Sequence, residues 1–231
     1  MTRTRTRFSL SIISLVIAFL FLVPAPAGAV DTLQPGDYVE TSVGSCTLSF
    51  VYDGLGSLAG KVYIGTAAHC VSNVGELVRD IDGATVGRVA LIGNANITAQ
   101  DYAFIEVLSG VPVSPAVVGW PNYPTGYTTS GETATGDQVA LSGYGLGFDF
   151  INLTREQRPG VIVSDTNAEY TIIGLDSFGD SGGPFVHKRT GKAYGIVSRL
   201  CIGLCTSEGP TVEGILNKAA ARGFTIQLRT V

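Results

Sequence analysis

From Cys46 onward the chain is a succession of short apolar runs cut apart by glycine-bearing turns. Thr47 to Tyr52, Lys61 to Gly65, Thr85 to Ile92 and Tyr102 to Leu108 come first. Asp137 to Ser142, Val161 to Ser164, Tyr170 to Ile173, Gly183 to His187 and Ala193 to Ser198 follow. Many short strands joined by Gly/Pro turns build an all-β sandwich or barrel. Thirty glycines in 231 residues, with only 15% charged residues, suit a compact, turn-rich β protein rather than a disordered one. A stretch rich in Pro, Gly, Tyr and Thr, from Pro112 to Gly136, divides the runs and is the natural connection between two halves. Gly214 to Ala221 has helical composition, and an alternating apolar tail, Phe224 to Leu228, follows it.

The first residues belong to a different kind of segment. Arg3, Arg5 and Arg7 make a basic start, Phe8 to Val23 is apolar, and Ala27-Gly28-Ala29 offers a small-residue cleavage pattern. These are the three parts of a secretory signal peptide over residues 1–29. The run is short for a membrane span and ends at Pro24 and Pro26, so cleavage after Ala29 is expected rather than anchoring. Removal leaves twelve basic and nineteen acidic residues, a net charge of −7. Such a surface argues against nucleic acid and anionic membranes as partners and suits a soluble exported monomer. All four cysteines fall after the leader, and export permits disulfides in any of three connectivities. A metal site is disfavoured, because the two cysteine pairs are far apart and no spare histidine is nearby. No cofactor is expected.

Three motifs carry chemistry: Thr66-Ala67-Ala68-His69-Cys70, Asp101-Tyr102-Ala103, and Gly179-Asp180-Ser181-Gly182-Gly183-Pro184. A serine hydroxyl is a weak nucleophile that needs a base, and the base needs a third group to orient it. His69 can take the proton of Ser181, because imidazole titrates near neutrality. Asp101 can hold the other ring nitrogen. Asp80 and Asp82 compete for that role, but Arg79-Asp80-Ile81-Asp82-Gly83 reads as a hairpin turn, whereas Asp101 heads a run suited to a buried strand. The other histidine, His187, lies on a strand running into a turn and is expected to be exposed. The glycines around Ser181 allow a tight turn that presents N–H groups to a developing oxyanion.

The order His, Asp, Ser and these flanks resemble the chymotrypsin-like (trypsin-like) serine protease family, in style the bacterial secreted streptogrisins. The resemblance covers most of residues 43–230. It implies two six-stranded antiparallel β-barrels, spanning residues 30–120 and 121–231, with the active site in the cleft between them and a short C-terminal helix. It implies a triad of His69, Asp101 and Ser181, and an oxyanion hole from the N–H groups of Gly179 and Ser181. It pairs Cys46 with Cys70 and Cys201 with Cys205. Asp180 becomes a structural carboxylate, with Arg155 or Arg158 as its partner, because no Ile-Val-Gly-Gly-like activation site precedes Cys46. Gly143-Tyr144-Gly145 looks like the segment that opens the second barrel, and Tyr194 to Ser198 like the strand that binds substrate backbone.

The departures concern specificity. Leu175 stands where trypsin has its pocket aspartate, and Asp176 follows it. Arg199-Leu200 replaces the usual aromatic-glycine pair, and Thr211 aligns with a pocket-wall glycine. Bulk at Leu200 and Thr211 would favour small substrate side chains, while Asp176 could attract a basic one. The expected activity is that of a secreted endopeptidase acting on protein or peptide. A binding protein on the same fold and an esterase with the same triad are the alternatives. The GxSxG-type match at residues 179–183 does not favour an α/β-hydrolase, in which Ser precedes Asp and His.

Overall fold

A computed structural model of the protein describes residues 31–145, 156–199 and 203–231, with backbone alone at 203–205. The leader 1–29, Arg155, Leu200 and the expected Cys201–Cys205 bridge lie outside the described residues. The chain forms two antiparallel sheets and one α-helix among those residues. The first sheet contains β1 (Tyr38–Thr41), β2 (Gly44–Thr47), β3 (Val51–Gly54), β4 (Val62–Thr66), β5 (Leu77–Arg79), β6 (Thr85–Ile92) and β7 (Ala103–Val107). The second contains β8 (Gln138–Leu141), β9 (Arg158–Asp165), β10 (Glu169–Asp176), β11 (Pro184–His187), β12 (Lys192–Ile196) and β13 (Gly203–Pro210). Helix α1 (Val212–Ala221) and β14 (Ile226–Leu228) complete the chain.

The second sheet has the six strands expected, in the order β12-β11-β8-β9-β10-β13. The first has eight, in the order β14-β3-β4-β7-β6-β5-β1-β2. One of the eight, β14, comes from the far end of the chain. Its residues Ile226 and Leu228 pair with Gly54 and Tyr52, which carries the tail back onto the first half.

Alternation explains the strands. Along β10 the buried positions are Tyr170, Ile172, Gly174 and Asp176, every second residue, as a pleated strand with one face inward requires. β7 instead opens with Ala103, Phe104 and Ile105 buried in succession, because it lies inside its sheet between β4 and β6 and packs on both faces. Three buried clusters follow. Ile64, Val78 and Ile105 belong to the core of the first sheet, and Leu141, Ile172 and Phe185 to that of the second. The third draws on both: Phe50 and Phe104 meet Val186 and Ile196, with Ile215 of α1 and Phe224 of the tail. Phe104 and Phe224 stack at 5.4 Å between centroids. Burial of this shared layer, at about 25 cal/mol per Å² of apolar surface, holds the halves in one relative position.

The α1 helix starts two residues earlier than its composition suggests. Thr211 caps it, the Oγ1 accepting from the Gly214 N–H at 3.0 Å.

Candidate active site

His69 stands just beyond β4, in a 3-10 turn over Ala68–Cys70. Asp101 follows a second such turn, Thr98–Gln100, and precedes β7. Because β4 and β7 are paired neighbours, Thr66 against Ala103, the two turns lie side by side. The His69 N–H donates to Asp101 Oδ1 at 2.9 Å, and His69 Nδ1 is 2.7 Å from Asp101 Oδ2. A third bond comes from the second half of the molecule: Ser198 Oγ donates to Asp101 Oδ2 at 2.5 Å. Asp101 is 1% exposed, so its carboxylate is a buried charge, tolerated because hydrogen bonds replace its water. Asp80, by contrast, accepts from the N–H groups of Asp82 and Ala84 within the β5–β6 hairpin, as its turn sequence predicted.

Ser181 lies in the turn between β10 and β11. It opens into a cleft of about 510 Å³ whose wall includes His69, Phe178, Gly179, Ser198 and Arg199. Gly179 has φ +100°, a conformation that a side chain would oppose. The Asp180 N–H is spent on Ser177 O at 3.0 Å, whereas among the described residues the N–H groups of Gly179 and Ser181 have no protein acceptor.

Asp180 braces this turn from beneath. It is fully buried and receives two bonds from Arg158, at 2.6 and 2.5 Å, and one from the Ser177 N–H at 2.8 Å. Arg158 is thus the partner where Arg155 was an equal candidate. Gly143 and Gly145 close over the carboxylate. A Cβ on either would stand 2.5 Å from an Asp180 oxygen, which is why this segment reads Gly-Tyr-Gly.

Thr47 was not singled out in the sequence, yet it ties the two halves together at the nucleophile. Its N–H donates to Ser181 O at 2.9 Å and its hydroxyl to Gly179 O at 2.7 Å, while that hydroxyl accepts from the Tyr144 N–H. The adjacent Cys46 is disulfide-bonded to Cys70, with the Cα atoms 6.2 Å apart, so the bridge expected for that pair anchors Thr47 beside the histidine turn.

Other site assignments change. Thr211 is not in the cleft wall. It caps α1, donates to Asn167 O at 3.0 Å and faces a different cavity, shared with Tyr194 and Glu213. The Pro-Thr-Val register is displaced because Pro210 still belongs to β13, paired with Glu169 of β10. Asp176 is 3% exposed on the inward face of β10, while Leu175 faces the other way and gives its carbonyl to Arg158 at 3.2 Å. Burial pushes the Asp176 carboxyl up to about 6, with the Ser207 hydroxyl beside it opposing. His187, expected at the surface, is fully buried. Its Nε2 faces Asp137 at 3.1 Å and its Nδ1 faces Thr190 at 2.9 Å, and these partners let a polar ring sit inside β11.

The profile of the trypsin family matches residues 37–213, most of the chain. The protein belongs to the trypsin family and is a serine-type peptidase, whose substrates are proteins or peptides. Among solved structures, Thermobifida fusca protease A is 22% identical, with a TM-score of 0.63 over 87% of this chain and 100% of that one. The Nocardiopsis protease gives the same identity, score and coverage. A Cellulomonas bogoriensis chymotrypsin is 20% identical, with a TM-score of 0.58 over 86% of this chain and all of its own. At these identities the likeness attests the fold. No curated protein matches the chain. Among the described residues no helix is long and apolar enough to cross a membrane.

Proposed function

We propose that the protein is a secreted serine endopeptidase that works through an acyl-enzyme with Ser181, His69 and Asp101. The observation that carries the reading is the hydrogen bond between His69 and buried Asp101 at the edge of the cleft into which Ser181 opens. With Nδ1–H donated to the carboxylate, Nε2 is left as the basic nitrogen. Ser181 Oγ attacks the peptide carbonyl while Nε2 takes its proton, and the carbonyl oxygen becomes an oxyanion facing the N–H groups of Gly179 and Ser181. The C–N bond breaks, the imidazolium protonates the leaving amine, and an ester to Ser181 remains. His69 then deprotonates a water that attacks the ester, the bond from Ser181 Oγ to the acyl carbon breaks to release the acid, and the imidazolium returns the proton to Oγ. No cofactor enters this cycle.

The basic start, apolar stretch and small-residue site of residues 1–29 support export, and the acidic balance supports a soluble enzyme. Ser198 orients Asp101 through its hydroxyl, in addition to the expected contact with substrate backbone. The test is labelling with a fluorophosphonate, mass mapping of the adduct and a peptide-library cleavage assay. Adduct on Ser181 together with peptide cleavage is expected. Labelling without cleavage would favour a non-proteolytic or esterolytic role, and failure to label Ser181 would refute the mechanism.

A further inference from the structure

Among the described residues lining the cleft of His69 and Ser181, Arg199 is the one Lys, Arg, Asp or Glu. Val43, Phe178 and a series of small residues make up much of the rest. Arg199 is exposed, and its backbone is fixed. Its N–H donates to Glu208 O at 2.9 Å, and its carbonyl accepts from the Glu208 N–H at 2.8 Å. Its guanidinium reaches to the other half of the molecule, where one nitrogen donates to Asn96 O at 3.0 Å. Asn96 belongs to the loop that leads to Asp101, so the cation is held where the two halves meet.

A guanidinium carries five N–H donors in a rigid plane, and one carbonyl engages only part of them. No carboxylate among the described residues lies within ion-pair distance of Arg199, Glu208 included. A cation anchored on one edge, with donors left over, is pre-organised for a carboxylate. Among the described lining residues it is the one such cation, in a chain that carries more acid than base.

We infer that Arg199 is a specificity-determining residue, selecting peptides with an aspartate or glutamate side chain near the scissile bond. The inference rests on the peptidase reading above and adds the substrate class. An acidic side chain lying in the cleft meets the guanidinium edge-on, while a lysine or arginine at the same place meets a like charge. The pair is solvent-exposed, so the expected preference is modest and falls with salt.

The experiment replaces each of four residues before and two after the scissile bond, in turn, by Glu, Gln or Lys and measures kcat/KM. At one position Glu should exceed Gln by roughly fivefold at low salt, the upper range for an exposed ion pair. Arg199→Gln should bring that ratio to one, Arg199→Lys should retain part of it, and Arg199→Glu should invert it in favour of Lys. A purely structural strap to Asn96 would instead slow all peptides alike and leave the ratio unchanged, which would overturn the inference. So would a Glu/Gln ratio near one in the unaltered enzyme. The same peptides, fluorescently labelled, are titrated against Ser181→Ala protein by anisotropy. An Arg199-dependent binding preference without turnover in the unaltered enzyme would sink the endopeptidase reading and spare this one. Turnover without preference would do the reverse.

Discussion

Asp101 is held by three hydrogen-bond donors drawn from two halves of the chain, and that geometry sets the most direct test of its role. Asp101→Asn keeps the volume but offers an amide to Nδ1, forcing the wrong imidazole tautomer. Turnover is expected to fall roughly 10⁴-fold with folding intact. Steady-state kinetics on a peptide ester, beside circular dichroism, measures both. Asp80→Asn is the control, because Asp80 serves its own hairpin, and comparable loss there would show that the wrong carboxylate was chosen. Beneath the nucleophile, Arg158 and Asp180 form a buried pair with two hydrogen bonds. Arg158→Met leaves Asp180 as an uncompensated buried charge, and urea unfolding should show a loss of about 3–5 kcal/mol. An unchanged midpoint would mean that other groups brace the turn.

At the scale of elements, some strands were plain in the sequence and others were not. β6 coincides with the run Thr85 to Ile92. β1 shows no apolar period in the sequence, because Val39 is the one buried residue among its four positions; it forms by backbone pairing to β2 and β5. β13, with Ser, Glu, Gly and Pro among its residues, lacks an apolar period and forms by pairing along the whole of β10. The helix is legible in the sequence, but Thr211 reads there as a pocket residue, because a Thr at a helix start and one in a cleft wall have the same local pattern. Thr211→Ala should therefore cost about 1 kcal/mol of stability by loss of the cap. Thermal melts read the cost, and peptide profiling should show an unchanged preference between small and large side chains. A shift in that preference would return Thr211 to the cleft.

The pH response belongs to the whole molecule, because it sums groups that folding buries. Burial pushes the Asp176 carboxyl from 3.8 up to about 6, with the Ser207 hydroxyl opposing, Asp180 nearby raising it further and Arg158 opposing again. Asp37 is raised to about 6 as well, again chiefly by burial. Between about 4 and 6 the native state keeps protons that the unfolded chain releases. This contribution is therefore full below about pH 4 and is lost as pH climbs through 6, by roughly 3 kcal/mol for a two-unit shift of one buried group. Glu132, lowered to about 2 by Lys192 first and by Thr129, acts in the opposite direction and below that window. Urea midpoints of Ser181→Ala protein, which cannot digest itself if Ser181 is the nucleophile, should drop between pH 4 and 6.5, and Asp176→Asn should flatten part of that drop. An identical slope in the Asn variant would show that Asp176 ionises freely in the native state.

The chain's own residues determined that it would be β-rich, turn-dense and divided near its middle, because strand alternation and glycine turns are local properties. They also determined the composition of the candidate site, since His69, Asp101 and Ser181 lie in motifs whose flanks are local as well. Tertiary structure alone decided what surrounds them. Thr47 meets Ser181 and Gly179 from 134 and 132 positions away, Ser198 reaches Asp101, and Arg199 reaches Asn96 in the other half. Those contacts depend on how two sheets pack through a shared core, and on a tail that pairs with the first sheet. Such positions leave no period or motif in the sequence. A single threonine, serine or arginine becomes part of the site only when two distant strands bring its hydrogen-bond partner within 3 Å.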